Sequence, residues 1–314
     1  MKEKCTKCGK PAVIHRRYEG SYVCKKHFIH SIERKAKLTM RNHKMVNKGD
    51  RIVVGLSGGK DSVSLLYILN KTFSHVPGTK LIAVSIDEGI EKARTKQIEL
   101  AKKWCREWGV EHKIYSFKNE YGKTMDQKVK ELKKKHGTLK EPCTYCGVGR
   151  RYMLNKIARE LKTDKLAVGH NLDDEAQAAM MNYIRGDIAR ASRMGAVTDF
   201  SLSEDWGSLF IPRIKPFRAI PEEEVELYAK LMNFGTDKKW CPYKSGVRKD
   251  VLIFLNDLDK KYPGVKFSIL ETFDKLVPQF RKLAKTGVKQ KLIRCKKCGE
   301  PSAQEICKTC ELWR

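Results

Sequence analysis

The chain has 314 residues, enough on the usual length prior for about two domains with a substantial core. Its Lys+Arg count of 65 against Asp+Glu of 37 leaves a formal charge of +28, an excess that favours a polyanionic partner because each neutralised phosphate releases counterions. No apolar run is long enough to span a bilayer and none follows Met1-Lys2-Glu3-Lys4, so a membrane protein or a secreted one is not expected, and the 11 cysteines are expected in a reducing cytoplasm, away from a disulfide framework.

Cys5-Thr-Lys-Cys8-Gly-Lys opens a metal knuckle, with two thiolates one tight turn apart. Cys24-Lys-Lys-His27 supplies the second pair, and three thiolates with one imidazole suit a tetrahedral structural zinc, His27 being a better fourth ligand than His30. Ala12 to His15 and Ser21 to Val23 read as a short hairpin between the pairs. From Phe28 to Met45 the pattern is helical and basic, which a solvated face explains as well as RNA contact does.

Arg51 to Leu66 reads RIVVGLSGGKDSVSLL: an apolar strand, a tight loop, then an apolar helix. Gly58 and Gly59 let the backbone turn its N–H groups toward an oxyanion, the helix that follows points its positive end there, and Lys60, Ser57 and Ser62 add donors. The glycines are adjacent and Asp61 follows the lysine, so this is not the common GxxxxGK[ST] loop. SGGKDS instead looks like the PP-loop of ATP pyrophosphatases, which cleave ATP to AMP and pyrophosphate while adenylating an oxygen.

Lys80 to Asp87 is a second buried strand, Ala93 to Trp108 an amphipathic helix and His112 to Phe117 a third strand, so a parallel sheet with helices on both faces is predicted. Ligands then sit beyond the carboxyl ends of the strands, near Ser57 and Asp87. Cys105 lies within the helix as an apolar packing residue. Cys143-Thr-Tyr-Cys146, ahead of Arg150-Arg151, has metal or redox spacing but no second CxxC nearby, and Cys241 in Trp240-Cys-Pro-Tyr is the thiol left to join it. Three cysteines leave one coordination position open, a reactive arrangement; a cycling dithiol or a third zinc are the alternatives. The strand ending at Gly169-His170 runs into Asn171-Leu-Asp173-Asp174-Glu175, where the acids serve equally as helix caps or, for Asp174, as a Mg²⁺ ligand on pyrophosphate.

Gly186 to Phe210 is expected to be a loop of little regular structure, and Ile211 to Arg218 (IPRIKPFR) an extended basic strip facing substrate. Pro221 opens a helix, with others over Asp250 to Leu258 and Phe267 to Leu283. Cys295, Cys298, Cys307 and Cys310 close the chain as a four-cysteine zinc ribbon.

The SGGKDS loop, the CxxC before Arg150-Arg151, GHNLDDEAQ, the RGD and RIKPFR segments, the CPY cysteine and the two knuckles occur in order over essentially the whole chain. This arrangement resembles the tRNA 2-thiolation enzymes of the TtcA/TtuA family, in the branch of cytosolic uridine thiolases. The resemblance implies an α/β PP-loop pyrophosphatase fold of the adenine nucleotide alpha hydrolase type between zinc modules, divided at 1–30, 31–49, 50–235, 236–293 and 294–314. It implies a [4Fe-4S] cluster on Cys143, Cys146 and Cys241 whose fourth iron takes sulfide, and Asp174 as a catalytic acid. It puts Ser57, Gly58, Gly59, Lys60, Asp61, Ser62, Ile86, Asp87, Arg150, Gly169 and Asp174 at the nucleotide, with Ser57 and Asp61 also in the chemistry. Arg150 stands where the family often has lysine; it is a forked phosphate donor and no proton-transfer base. Implied partners are ATP, Mg²⁺, two structural Zn²⁺, tRNA, a second copy of the chain, and sulfide or a thiocarboxylated ubiquitin-like carrier. In the implied reaction the uridine C2 oxygen is adenylated, sulfide attacks C2 and AMP leaves. Two rivals share parts of this pattern: a ligase of the lysidine-synthetase type, which keeps the loop without needing the three cysteines, and a non-enzymatic zinc-finger RNA-binding protein, which leaves the loop idle.

Overall fold

The computed structural model describes residues 3–91, 94–136, 142–198, 209–236, 241–243, 247–286 and 293–314. In chain order, β1 (Ile14–Arg16) and β2 (Ser21–Val23) make an antiparallel hairpin, followed by α1 (Lys25–Asn42). Next come β3 (Arg51–Gly55), α2 (Lys60–Phe73), β4 (Lys80–Asp87), α3 (Arg94–Glu107), β5 (Glu111–Ser116), α4 (Phe117–Tyr121), α5 (Met125–His136) and α6 (Pro142–Glu160). After them lie β6 (Lys165–Ala167), α7 (Leu172–Arg185), α8 (Ile188–Ala191), β7 (Val197–Thr198), β8 (Arg213–Ile214), α9 (Glu222–Leu231), α10 (Val247–Lys261) and α11 (Val265–Thr286). A second hairpin, β9 (Ile293–Arg294) with β10 (Pro301–Ser302), leads to α12 (Lys308–Trp313).

The main sheet runs β5-β4-β3-β6-β8-β7, parallel except for the antiparallel edge strand β7. Because side chains alternate across a strand, one apolar run serves two cores. Ile52, Val54, Ala83, Ala167 and Ile214 face one side and pack with Phe28, Ile32, Leu65 and Tyr228 from α1, α2 and α9. Val53, Ile82, Val84 and Leu166 face the other and pack with Phe117, Met125, Met153 and Ile157 from α4, α5 and α6. Each fully buried side chain of this kind contributes roughly 1.5–3 kcal/mol. Cys105 is 2% exposed in the first core, an apolar packing residue as expected.

The terminal modules dock on opposite faces of this sandwich. On the first, Arg16 from β1 donates to Glu224 of α9 at 2.8 Å with both side chains almost wholly buried, and Tyr18 shares the same carboxylate. On the second, Trp313 of α12 stacks on Tyr121 at 4.8 Å, meets Phe117 edge-on at 4.9 Å and donates to the Tyr145 carbonyl in α6 at 3.1 Å. Arg159 of α6 also pairs with Glu300 of the ribbon.

Two expectations need correction. The segment from Gly186 carries the short helix α8, capped by Asp187 accepting from the Arg190 N–H, and the edge strand β7; residues 199–208 of the expected loop lie outside the described residues. The basic strip is mostly interior: Lys215 and Arg218 are 6% and 4% exposed, because Glu175 and Asp274 draw them inward. Arg213 alone of the three keeps partial solvent access.

Candidate active site

Gly58 sits at φ +78, and a Cβ there would lie 2.0 Å from the Gln97 carbonyl oxygen, so only glycine fits. The Ser57 N–H donates to Ser62 Oγ at 3.1 Å, Ser62 Oγ donates to the Gly59 carbonyl at 3.1 Å, and the two serine oxygens are 3.0 Å apart. Gly59 is the N-cap of α2 and supplies no side-chain cap, which leaves the first N–H groups of that helix for a ligand. Lys60 bridges Asp61 and Glu222 at 2.9 Å each, and burial, opposed by those two carboxylates, leaves its ammonium pKa raised. Asp61 in turn accepts from Asn171 Nδ2 at 3.1 Å, while burial raises its own pKa.

The neighbouring strands close the loop from both sides. Gly169 lies so near the Asp61 backbone that a Cβ would stand 3.0 Å from its carbonyl carbon. From the β4 side, Arg94 reaches over: it donates to the Ser57 carbonyl at 2.9 Å and to the Ile86 carbonyl, and pairs with the buried Glu88. Ile86 thus takes part through its backbone while its side chain is buried at 4% exposure, and Asp87 Oδ1 accepts from the Gly89 N–H at 2.8 Å to form the following turn. Asp174 is drawn into a capping box with Asn171, lies 3.8 Å from Arg248 and is raised in pKa, chiefly by burial. Its carboxylate therefore caps α7 and still faces the rim beside the phosphate loop.

Cys143 and Cys146 lie in the first turns of α6, which Pro142 begins. The Cys143 thiol donates to the Tyr243 carbonyl at 3.2 Å, and Tyr243 Oη donates to Asp126 at 2.6 Å, so the segment bearing Cys241 is pinned against the start of α6; Trp240 lies outside the described residues. Burial pushes the Cys146 thiol up to about 11, against the pull of Arg150, and burial raises Cys241 as well. Arg150 is also 3.6 Å from Glu88.

Two donor sets gather tightly. Cys5, Cys8, Cys24 and His27 place their ligand atoms within 4.8 Å of one another, as do Cys295, Cys298, Cys307 and Cys310. His27 Nδ1 is 3.4 Å from Cys5 Sγ, whereas the exposed His30 stands outside the set. Both sets have the number and softness of donors that tetrahedral zinc takes. Among the described residues the three central thiols form no set this tight, so they are spread wider than a single ion requires.

Sequence reasoning missed Arg94, Glu88, Asn171 and Glu222. Asn171 carries a local signal, an Asn three residues before an acid at a helix start. Arg94 and Glu222 carry none, because each reaches the phosphate loop from a separate element.

A PP-loop domain family model matches residues 29–238, and a model for the N-terminal LIM domain of the 2-thiouridine synthetase TtuA matches residues 4–29. A probable sulfurtransferase of Methanocaldococcus jannaschii is 39% identical over 96% of this chain and 85% of its own. Cytoplasmic tRNA 2-thiolation protein 1 of Danio rerio is 36% identical over 99% and 88%. Among solved structures, the U34-tRNA thiolase NcsA from Methanococcus maripaludis with its [4Fe-4S] cluster matches at 37% identity and a TM-score of 0.79, over 98% of this chain and 95% of that one.

Proposed function

Because the chain belongs to the TtuA/TtcA-like tRNA 2-thiolation family of PP-loop ATPases, we propose that it is a cytoplasmic ATP-dependent tRNA uridine 2-sulfurtransferase. The observation that carries the reading is a line of charged groups running from the thiols to the phosphate loop. Arg150 acts on Cys146, Glu88 lies beside Arg150, Arg94 pairs with Glu88, and the Ser57 carbonyl accepts from Arg94. A nucleotide held by the loop and a group held by the thiols thus share one rim of the sheet.

The uridine C2 oxygen is a poor leaving group, so it has first to be adenylated. The uncapped N–H groups at the head of α2, with Ser57 and Ser62, hold the departing pyrophosphate, and Lys60 moves from Asp61 and Glu222 to the phosphates. Asp174 and Asp61 would hold Mg²⁺, which would neutralise charge on the phosphates. Cys143, Cys146 and Cys241, spread wider than the two tight donor sets, would hold a [4Fe-4S] cluster, which would supply Lewis acidity for a sulfide nucleophile through an iron without a protein ligand. Arg150, a guanidinium, steadies charge on the α-phosphate and leaves proton transfer to other groups.

The two tight donor sets hold structural zinc. The boundaries 1–30, 31–49, 50–235, 236–293 and 294–314 separate the N-terminal finger, the basic helix, the catalytic domain, the helical region and the ribbon. Sulfur arrives as sulfide or on a thiocarboxylated ubiquitin-like carrier and the chain acts as a homodimer; the higher identity to the U34-tRNA thiolase, 37% against 33% for a tRNA-5-methyluridine(54) 2-sulfurtransferase of Pyrococcus horikoshii, supports the wobble uridine over the T-loop uridine as target. The test is mass spectrometry of nucleosides from unmodified tRNA incubated anaerobically with ATP, Mg²⁺, sulfide and cluster-reconstituted protein. The expected product is 2-thiouridine at the wobble position. ATP turnover with no thiouridine would instead point to ligase chemistry.

A further inference from the structure

Four arginines from four elements lie within electrostatic reach of Arg151. Arg150 and Arg151 come from α6, Arg190 from α8, Arg213 from β8 and Arg248 from the start of α10. Arg150, Arg190 and Arg248 each have a carboxylate nearby, Glu88 at 3.6 Å, Asp187 at 3.1 Å and Asp174 at 3.8 Å. Among the described residues, Arg151 and Arg213 have no carboxylate within ion-pair reach, and Arg213 Nε is buried without a hydrogen-bond partner.

The two guanidinium groups are nonetheless held in place. Arg213 Nη2 donates to the Arg151 carbonyl at 3.3 Å, and the Arg151 guanidinium lies back over Gly147, where a Cβ would stand 3.2 Å from Nη1. Partial desolvation, then the charges of Arg213, Arg150, Arg190 and Arg248, lowers the Arg151 pKa to about 10. An arginine does not give up its proton in a protein, so such crowding is relieved by an anion.

The nucleotide's own phosphates have a cradle elsewhere, at the head of α2 behind β3. The sheet order β3-β6-β8 puts Arg213 two strands from that cradle, roughly 10 Å at ordinary strand spacing. Asp174, at the head of α7 after β6, lies between the two places.

We propose that Arg151 and Arg213 form a clamp for a backbone phosphodiester of the RNA substrate next to the target nucleotide, separate from the ATP cradle. This rests on the thiolase reading for the identity of the substrate and adds the place where its backbone is gripped. Two forked donors, one anchored on the backbone of the other, offer hydrogen bonds to a phosphodiester's two free oxygens, and they position the strand without reading its sequence.

The test measures binding of an unmodified tRNA transcript to the full chain by fluorescence anisotropy between 50 and 200 mM salt, and of a non-hydrolysable ATP analogue by calorimetry. Arg151→Ala and Arg213→Ala are each expected to weaken tRNA binding about ten-fold and to flatten the salt slope by about 0.7, with affinity for the ATP analogue unchanged and melting temperatures near wild type. Arg151→Lys is expected to restore the salt slope but only part of the affinity, since it keeps charge without the fork. Loss of ATP-analogue binding with tRNA binding intact would assign the pair to the nucleotide and overturn the clamp, as would unchanged tRNA binding in both alanine variants. Wild-type tRNA binding without any thiouridine product would defeat the thiolase reading and leave the clamp to stand or fall on the variants.

Discussion

In the two terminal modules four donors lie within 4.8 Å of one another, whereas Cys143, Cys146 and Cys241 are spread wider, and Cys241 is exposed. The terminal sets draw on turns, a hairpin loop and helix starts close in sequence, and each has donors enough to fill every coordination position of one ion. The central three come from a helix start and from a loop about a hundred residues later, joined where Cys143 meets the Tyr243 carbonyl. A closed set gives its module stability, since ligation replaces a core too small to fold alone. An open set gives up that saturation, and in the proposed reaction the vacant position goes to substrate.

The sharpest break between the two comes from Cys241→Ala. It is expected to abolish 2-thiouridine formation in reconstituted protein while leaving the zinc content and ATP-analogue binding at wild-type levels, read by nucleoside mass spectrometry, elemental analysis and calorimetry. Equal thiolation by the variant would remove the central three from the chemistry. Cys310→Ala, at a site 1% exposed in a closed set, should instead cost stability: loss of one zinc and more than about 3 kcal/mol in urea unfolding.

A third variant separates the ribbon's metal from its docking. Trp313→Ala leaves all the ligands in place but empties the contact with Phe117, Tyr121 and Tyr145; about 3 kcal/mol of destabilisation is expected, with zinc retained and faster amide exchange at the start of α6. Unchanged exchange there would mean that the ribbon does not support the cysteine helix. The smallest effect belongs to Glu222→Gln. Its pair with Lys60 is part-exposed, with Glu222 43% accessible, so such a pair is worth less than about 1 kcal/mol, and freeing Lys60 should tighten ATP-analogue binding by no more than about five-fold.

The same contrast explains what the sequence made legible. SGGKDS and both closed cysteine sets are local: glycine, helix head and ligand spacing act within a few dozen residues, so the chemistry is written next to itself. The alternation of Ile52, Val53 and Val54 between two cores followed from strand geometry alone. Lys215, Arg218 and Arg213 look alike in sequence, yet two are interior ion-pair partners and one reaches the rim. What separates them is Glu175 and Asp274, contributed by helices that only the tertiary fold brings near. Arg94 was hidden for the same reason: its target, the Ser57 carbonyl, is a backbone atom of another element.

The packing of Trp313 on Tyr145 also sets an order in time. The two residues are 168 positions apart, and a ribosome adding about 5–20 residues per second needs roughly 10–30 s to travel between them. Through that interval the helix carrying Cys143 and Cys146 lacks one of its walls. A nascent chain therefore gains this wall of the cysteine-bearing helix only once Trp313 has been made and released, and a chain cut short before Trp313 exposes the aromatic face of Phe117 and Tyr121, the kind of surface that cellular quality control recognises.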